Sequence, residues 1–273
     1  MPRPTSGLLR PQSRLLRRLA LGVLLLSITG FLAVPNAQAD HVPNPGPINA
    51  QTTFGWGKPI WQDDFVGPMK SIWKVTGRGV VQTQVGMLTL NTTGRGSVAA
   101  RLTEHAARTG RWEIRLRQRR YATKHADFRV LTELVPAGKR DQHCGARNIS
   151  LNNFELGTGR VRFYARNLPN LTYTSVKRGL DLGADRWHTF AVEVRPHRIL
   201  WIVDSHVIVR ERRAQAISGV PLTVKFTMEA VPGERMNPSR MQMDWLRYYT
   251  LQRPNSRSVA APPATPDTYP DAC

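Results

Sequence analysis

Between residues 60 and 250 apolar side chains recur at every second position rather than every third or fourth. Phe190, Val192 and Val194 alternate with Thr189, Ala191 and Glu193, and Leu222, Val224, Phe226 and Met228 alternate with Thr223, Lys225, Thr227 and Glu229. Trp112, Ile114 and Leu116 are separated by Glu113 and Arg115, while Val161, Phe163 and Ala165 alternate with Arg160, Arg162, Tyr164 and Arg166. A period of two predicts strands with one buried face. Residues 199–203 and 207–209 flank Asp204-Ser205 and predict a hairpin, although serine is a poorer turn residue than glycine. Residues 102–108 are the only stretch that could pass for helix; they are short and weakly amphipathic, and read as strand and loop. Many such strands, punctuated by Gly, Pro and Asn, predict an all-β sandwich of two antiparallel sheets.

The pattern stops at both ends. Residues 1–39 carry Arg3, Arg10, Arg14, Arg17 and Arg18 and no acid, then an apolar run to Val34 and the small-x-small triplet Ala37-Gln38-Ala39, which reads as a signal peptide. The run is shorter than the roughly 20 residues of a membrane span, so a secreted or extracytoplasmic protein without a stable span is expected. Residues 40–53 contain three prolines and no periodicity and read as a linker; residues 54–251 form the domain, and residues 252–273 a proline-rich C-terminal tail. Loss of the five leader arginines leaves 34 Lys+Arg against 19 Asp+Glu, a net charge of +15. Such a surplus favours anionic partners, among them acidic polysaccharide and cell-wall polymer, or serves solubility alone. No aromatic-basic motif of a nucleic-acid module accompanies it, so no specific nucleic acid is expected. Cys144 and Cys273 are the only cysteines. In an exported chain they are expected to form one disulfide, the alternatives being two thiols or an intermolecular link.

Four segments, in order, resemble glycoside hydrolase family 16, the laminarinase and lichenase-like β-glucanases. Ile60-Trp61-Gln62-Asp63-Asp64-Phe65-Val66-Gly67-Pro68, followed by Ile72-Trp73, resembles the opening strand with its acidic-Phe-x-Gly pattern. Gly110-Arg111-Trp112-Glu113-Ile114-Arg115-Leu116-Arg117 is similar to the Gly-Arg-aromatic-Glu strand. Trp187-His188-Thr189-Phe190-Ala191-Val192-Glu193-Val194, running on to Asp204, is similar to the Trp-His hairpin ending in Val-Asp-Gly, and Met243-Asp244-Trp245-Leu246-Arg247-Tyr248-Tyr249 resembles the closing strand. The resemblance implies a concanavalin A-like jelly roll. It also implies a structural calcium held partly by Asp244, against which stands a simple hydrogen bond from Asp244 to a turn; no other cofactor is required.

Family members cleave β-glycosidic bonds with retention, using a strand motif Glu-x-Asp-x-x-Glu. A bulge brings both glutamates to one face, because nucleophile and acid/base must stand about 5 to 5.5 Å apart. At the corresponding place the chain reads Asn148-Ile149-Ser150-Leu151-Asn152-Asn153-Phe154. Its apolar residues fit a register that sets Asn148, Ser150 and Asn153 at the three acidic positions. A rival register shifted by two sets Ser150, Asn152 and Glu155 there. Either leaves the carboxylate machinery incomplete, since an amide can neither attack as a carboxylate nor give up a carboxyl proton. The nearest other acids are Glu133, in the preceding strand at residues 128–135, and Glu155. Glu133 stands where the family often has a substrate-stacking Trp.

Three functions are consistent with these residues. The first is polysaccharide binding with little or no hydrolysis, a pseudoenzyme in which Asn148, Ser150 and Asn153 bond sugar hydroxyls and Tyr164, Trp187 or Trp201 stack on pyranose rings. The second is an endo-β-glycosidase using the displaced acids Glu133 and Glu155. The third is a basic envelope-associated protein whose sandwich is only a scaffold. Arg160, Arg162 and Arg166 form a same-face row that would favour acidic sugars in a cleft and be solvated charge elsewhere.

Overall fold

A computed structural model of the chain describes residues 48–180 and 182–269. The leader and the cysteine pairing lie outside these residues, the latter because neither Cys273 nor the side chain of Cys144 is described. Among these residues are one short α-helix, α1 (Ala50–Phe54), two 3-10 turns, and sixteen strands: β1 (Trp61–Asp63), β2 (Trp73–Gly77), β3 (Val80–Thr83), β4 (Leu88–Thr92), β5 (Val98–Leu102), β6 (Gly110–Arg120), β7 (Arg129–Pro136), β8 (Ile149–Glu155), β9 (Arg160–Asn167), β10 (Leu171–Arg178), β11 (His188–Arg195), β12 (Arg198–Val203), β13 (His206–Glu211), β14 (Leu222–Glu229), β15 (Ser239–Tyr249) and β16 (Thr265–Thr268). They form two antiparallel sheets. Sheet A has the order β13-β12-β11-β6-β15-β4-β3, with β1 also paired to β15; sheet B has the order β16-β10-β9-β8-β7-β14-β5-β2.

The apolar alternation faces inward between the sheets. Trp112, Ile114, Phe190, Val192 and Trp201 from sheet A meet Val130, Ile149, Leu151, Phe163, Val224 and Phe226 from sheet B in one buried cluster. The β12–β13 hairpin forms where Asp204-Ser205 lies, with both residues at positive φ (44° and 66°), the backbone of a type I′ turn. Asp204 is further held by Thr189 N–H, which donates to its Oδ1 at 2.8 Å. Residues 103–108 leave β5 as a loop, joined to β14 by the bridge Ala107–Leu222 and by Thr223 Oγ1, which donates to Glu104 O at 3.4 Å.

Both end segments carry regular structure that the sequence reading did not assign. The stretch read as linker ends in α1, capped by Asn49, whose Oδ1 accepts from Thr52 N–H at 2.8 Å, and closed by Gly55 at φ 68°. The segment read as a proline-rich tail supplies β16, which pairs with Leu171–Thr174 as an edge strand; its Pro266 suits an edge, where a missing N–H costs little. The end segments also explain why sheet A departs from one-face burial. Ala50, Phe54 and Trp56 pack with Ala191, Ile202 and Tyr249 in a second cluster on its outer side, so Glu113 and Glu193 are buried too.

Candidate functional site

On sheet B the outward residues of successive strands line up in rows. Pairing places Lys74 opposite Arg101, Arg101 opposite Lys225, Lys225 opposite Glu133, and Glu133 opposite Ser150. The row continues through Tyr164, whose backbone N–H donates to Ser150 Oγ at 2.8 Å, to Thr174 and Thr265. Side chains at directly paired positions share a face about 5 Å apart, so this row crosses the whole outer surface of the sheet.

The local structure of β8 decides which residues join it. Thr132 pairs with Asn152 and Glu133 with Ser150, leaving Leu151 as the extra residue of a β-bulge. Beyond the bulge the alternation restarts one residue later, so Leu151 and Phe154 both stay in the core while Asn153 comes out on the face of Asn148 and Ser150. Asn152 does not reach that face. Its amide accepts from Thr132 N–H and donates to Thr132 Oγ1, both at 3.1 Å, and is buried. The three positions Asn148, Ser150 and Asn153 thus share a surface, whereas Ser150, Asn152 and Glu155 do not.

Glu133 is at the centre of this surface and only 7% exposed. Tyr164 Oη donates to its Oε1 at 2.6 Å and Asn148 Nδ2 donates to the same atom at 3.0 Å. Burial, and then the facing Glu133 carboxylate, push the Tyr164 phenol well above its ordinary pKa, so it remains a donor. Glu155 is exposed and pairs with Arg129, four residues along β7 from Glu133. At about 3.3 Å per residue that separation is roughly 13 Å along the strand, more than twice what a retaining carboxylate pair spans. The structure therefore puts Glu133 and Glu155 on one surface without bringing them together.

Two depressions flank the centre. One, about 450 Å³, is lined by Arg129, Asn153, Glu155, Arg160, Arg162, Tyr164, Arg166 and Asp267 among others. The arginine row of β9 is therefore part of a hollow, interspersed with acids. The other, about 360 Å³, is lined by Lys74, Thr76, Arg101, Val135, Gln142, Gly145, Asn148 and Lys225, with no acid. Sequence reasoning missed this second hollow. The outward position of Lys225 was legible in the alternation of β14, but nothing local ties it to Lys74 and Arg101.

The aromatic stacking candidates are elsewhere or already engaged. Trp201 is fully buried between the sheets, its Nε1 donating to Ser150 O at 2.6 Å, and so supports the site from beneath. Trp187 stacks on Arg115 and Arg117, outward residues of β6 on the other sheet, at 4.6 Å each. The ring of Tyr164 is covered by the Arg166 guanidinium at 4.6 Å, which in turn lies 4.7 Å from the ring of Tyr269. Asp244 accepts from Arg115 Nη1 at 2.6 Å, and no group of three or more His, Cys, Asp or Glu suited to a metal occurs among the described residues. Calcium needs roughly six to eight oxygens, and here the nominated carboxylate is taken by a guanidinium, so these residues do not fit the ion.

The architecture, two eight-stranded antiparallel sheets, is a jelly-roll sandwich, the fold of the family-16 β-glucanases that it is similar to. Among solved structures it is similar to the laminarinase of Rhodothermus marinus (TM-score 0.57, 13% identity, covering 71% of this chain and 97% of that one) and to the laminarinase catalytic domain of Thermotoga maritima MSB8 (TM-score 0.58, 14% identity, 71% and 98%). It is also similar to a mutant of a non-specific endo-β-1,3(4)-glucanase from family GH16, co-crystallised with 1,3-β-D-cellotriosyl-glucose (TM-score 0.57, 13% identity, 71% and 94%). No protein-family model matches the chain, and no curated protein matches it either. At such identity the likeness is one of fold.

Proposed function

We propose that this is an exported polysaccharide-binding protein built on a family-16 scaffold, with little or no glycosidase activity. The observation that carries this reading is the bulge in β8, by which Asn148, Ser150 and Asn153, the residues that the family resemblance sets at the motif's acidic positions, share one face. Amides and hydroxyls donate to and accept from sugar hydroxyls, but they supply neither a nucleophile nor an acid. The displaced candidates Glu133 and Glu155 are too far apart to act as a pair. A shallow, polar surface with two hollows suits a chain of sugars, as the oligosaccharide bound to the similar endo-β-1,3(4)-glucanase suggests. The net positive charge supports an anionic or cell-wall polymer, and the Arg-rich leader supports export.

The test is reducing-sugar release from laminarin, lichenan and agarose together with binding to each. Binding without release is expected, since general acid-base assistance alone is worth about 10² to 10⁴ in rate. The triple change Asn148→Glu, Ser150→Asp and Asn153→Glu is expected to introduce measurable release. Turnover by the unaltered protein that Glu133→Gln or Glu155→Gln abolishes would instead establish an enzyme with displaced acids. Absence of saturable binding to any polysaccharide would leave only the scaffold role.

A further inference from the structure

Lys74, Arg101 and Lys225 stand at directly paired positions on β2, β5 and β14. Like charges on adjacent strands at such positions repel, and a sheet normally intersperses acids among them. Here it does not: none of the three takes part in an ion pair among the described residues, and the hollow they line contains no carboxylate. Glu133 faces Lys225 across the next pair without forming an ion pair with it, its Oε1 accepting from Tyr164 and Asn148 instead. A second, independent observation comes from Arg101. Its Nη2 donates to Pro136 O at 3.0 Å and Ala137 O at 3.2 Å, which fixes the guanidinium, while its buried Nε has no partner in the protein. The fixed guanidinium lines the hollow, so a charge-assisted contact to an oxyanion there requires little further ordering. Asn148 adds a neutral polar side chain on the central side of the hollow. The opposite hollow differs in kind: Glu155 and Asp267 sit among its arginines, and Arg129 is paired with Glu229 at 3.1 Å.

We infer that Lys74, Arg101 and Lys225 form a subsite for the oxyanion substituent, sulfate or carboxylate, of a sugar in a polysaccharide lying across sheet B. This deepens the polysaccharide-binding reading and rests on it. It also gives the bound chain a polarity, with the charged sugar over the β2-β5-β14 half and hydroxyl-rich units over Asn153 and the β9 face. The neutral hydroxyl contacts and the charged contact are separable, because they come from different strands.

The experiment measures binding of the full protein, by calorimetry, to a sulfated polysaccharide (ι-carrageenan), a uronate polysaccharide (polygalacturonate), neutral laminarin and inorganic sulfate. The variants are Lys74→Gln/Lys225→Gln and a control of equal charge change, Lys58→Gln/Lys124→Gln, at exposed positions that line neither hollow. The expected result is that the charged polysaccharide is bound more tightly than laminarin, that the first double variant weakens it on the order of tenfold, as for two charge-assisted contacts, and that the control changes it by less than about twofold. Which of the two charged polymers binds identifies the oxyanion. Equal weakening by both double variants would mean diffuse charge and overturn the subsite. Binding of laminarin as tight as that of the charged polymers, unchanged by either variant, would overturn the subsite and leave polysaccharide binding standing. Binding of sulfate alone would overturn it as a sugar site, and no binding at all would overturn both readings.

Discussion

Glu113 and Glu193 occupy positions that strict alternation assigns to solvent, yet both are fully buried, and they meet the cost of burial in opposite ways. Burial drives the Glu193 pKa upward, but Arg195, Arg198 and Arg111, bonded to it at 2.8, 2.7 and 2.7 Å, outweigh this and hold it at about 2. Glu113 has weaker company. Ala50 N–H donates to its Oε1 at 2.5 Å and Tyr249 Oη to its Oε2 at 3.4 Å, so burial prevails and its pKa is raised from 4.5 to about 7. The folded state therefore binds this proton more tightly than the unfolded chain. Its contribution is fully present below about pH 4.5 and is lost as pH rises through about 7. Glu113→Gln, which cannot ionise, is expected to gain stability relative to the parent across that window, by an amount on the order of 3 kcal/mol. Parallel urea denaturation of both proteins between pH 4.5 and 8 measures it; a constant difference would show that Glu113 does not titrate there. At this scale the family-like register with its bulge predicted that Asn148, Ser150 and Asn153 share one face, and they do, with Glu133 beside them. It could not indicate that Tyr164 is spent on Glu133 and Arg166, since those contacts cross strands.

The elements were legible wherever one face alone meets the core. β6, β9, β11, β12 and β14 lie where the period of two predicts strands, and the hairpin turn falls on Asp204-Ser205. The bulge in β8 also has an imprint: the apolar spacing Ile149, Leu151, Phe154 lengthens from two to three. What was not legible is α1. Five residues are too few for a helical period, and an isolated helix of that length does not persist in water. It exists because Phe54 and Trp56 pack on Ala191, Ile202 and Tyr249 and because Asn49 caps it. Asn49→Ala is accordingly expected to cost about 1 kcal/mol, readable as a lower urea midpoint. The loss should be matched by faster amide exchange at residues 50–54 and by little change in the sheets.

For the molecule as a whole, the fold followed from patterning and four family-like segments, while the recognition surface did not. A row such as Lys74, Arg101, Lys225 and Glu133 joins residues up to about 150 positions apart in sequence. Strand order alone puts them side by side, and strand order is a product of global packing. The net charge indicated an anionic partner in general terms; sheet B distributes that charge unevenly, with acid-free cations on one side of Glu133 and mixed charges on the other.

The terminal strand bears on how the molecule behaves in the company of its own copies. β16 occupies part of an edge that β10 would otherwise present as a row of open backbone donors and acceptors, a template for another strand. Pro266 within β16 has no N–H to offer a newcomer, and beyond the covered part β10 runs on into Lys177 and Arg178, whose charges discourage stacking. The last segment of the domain is therefore expected to guard against self-association. Truncation after Pro263 should expose Leu171, Tyr173 and the β10 backbone together. Concentration-dependent oligomers in analytical ultracentrifugation are the expected outcome, with the intact chain as the reference; a truncated chain that stays as monodisperse as the intact one would show that the edge needs no guard.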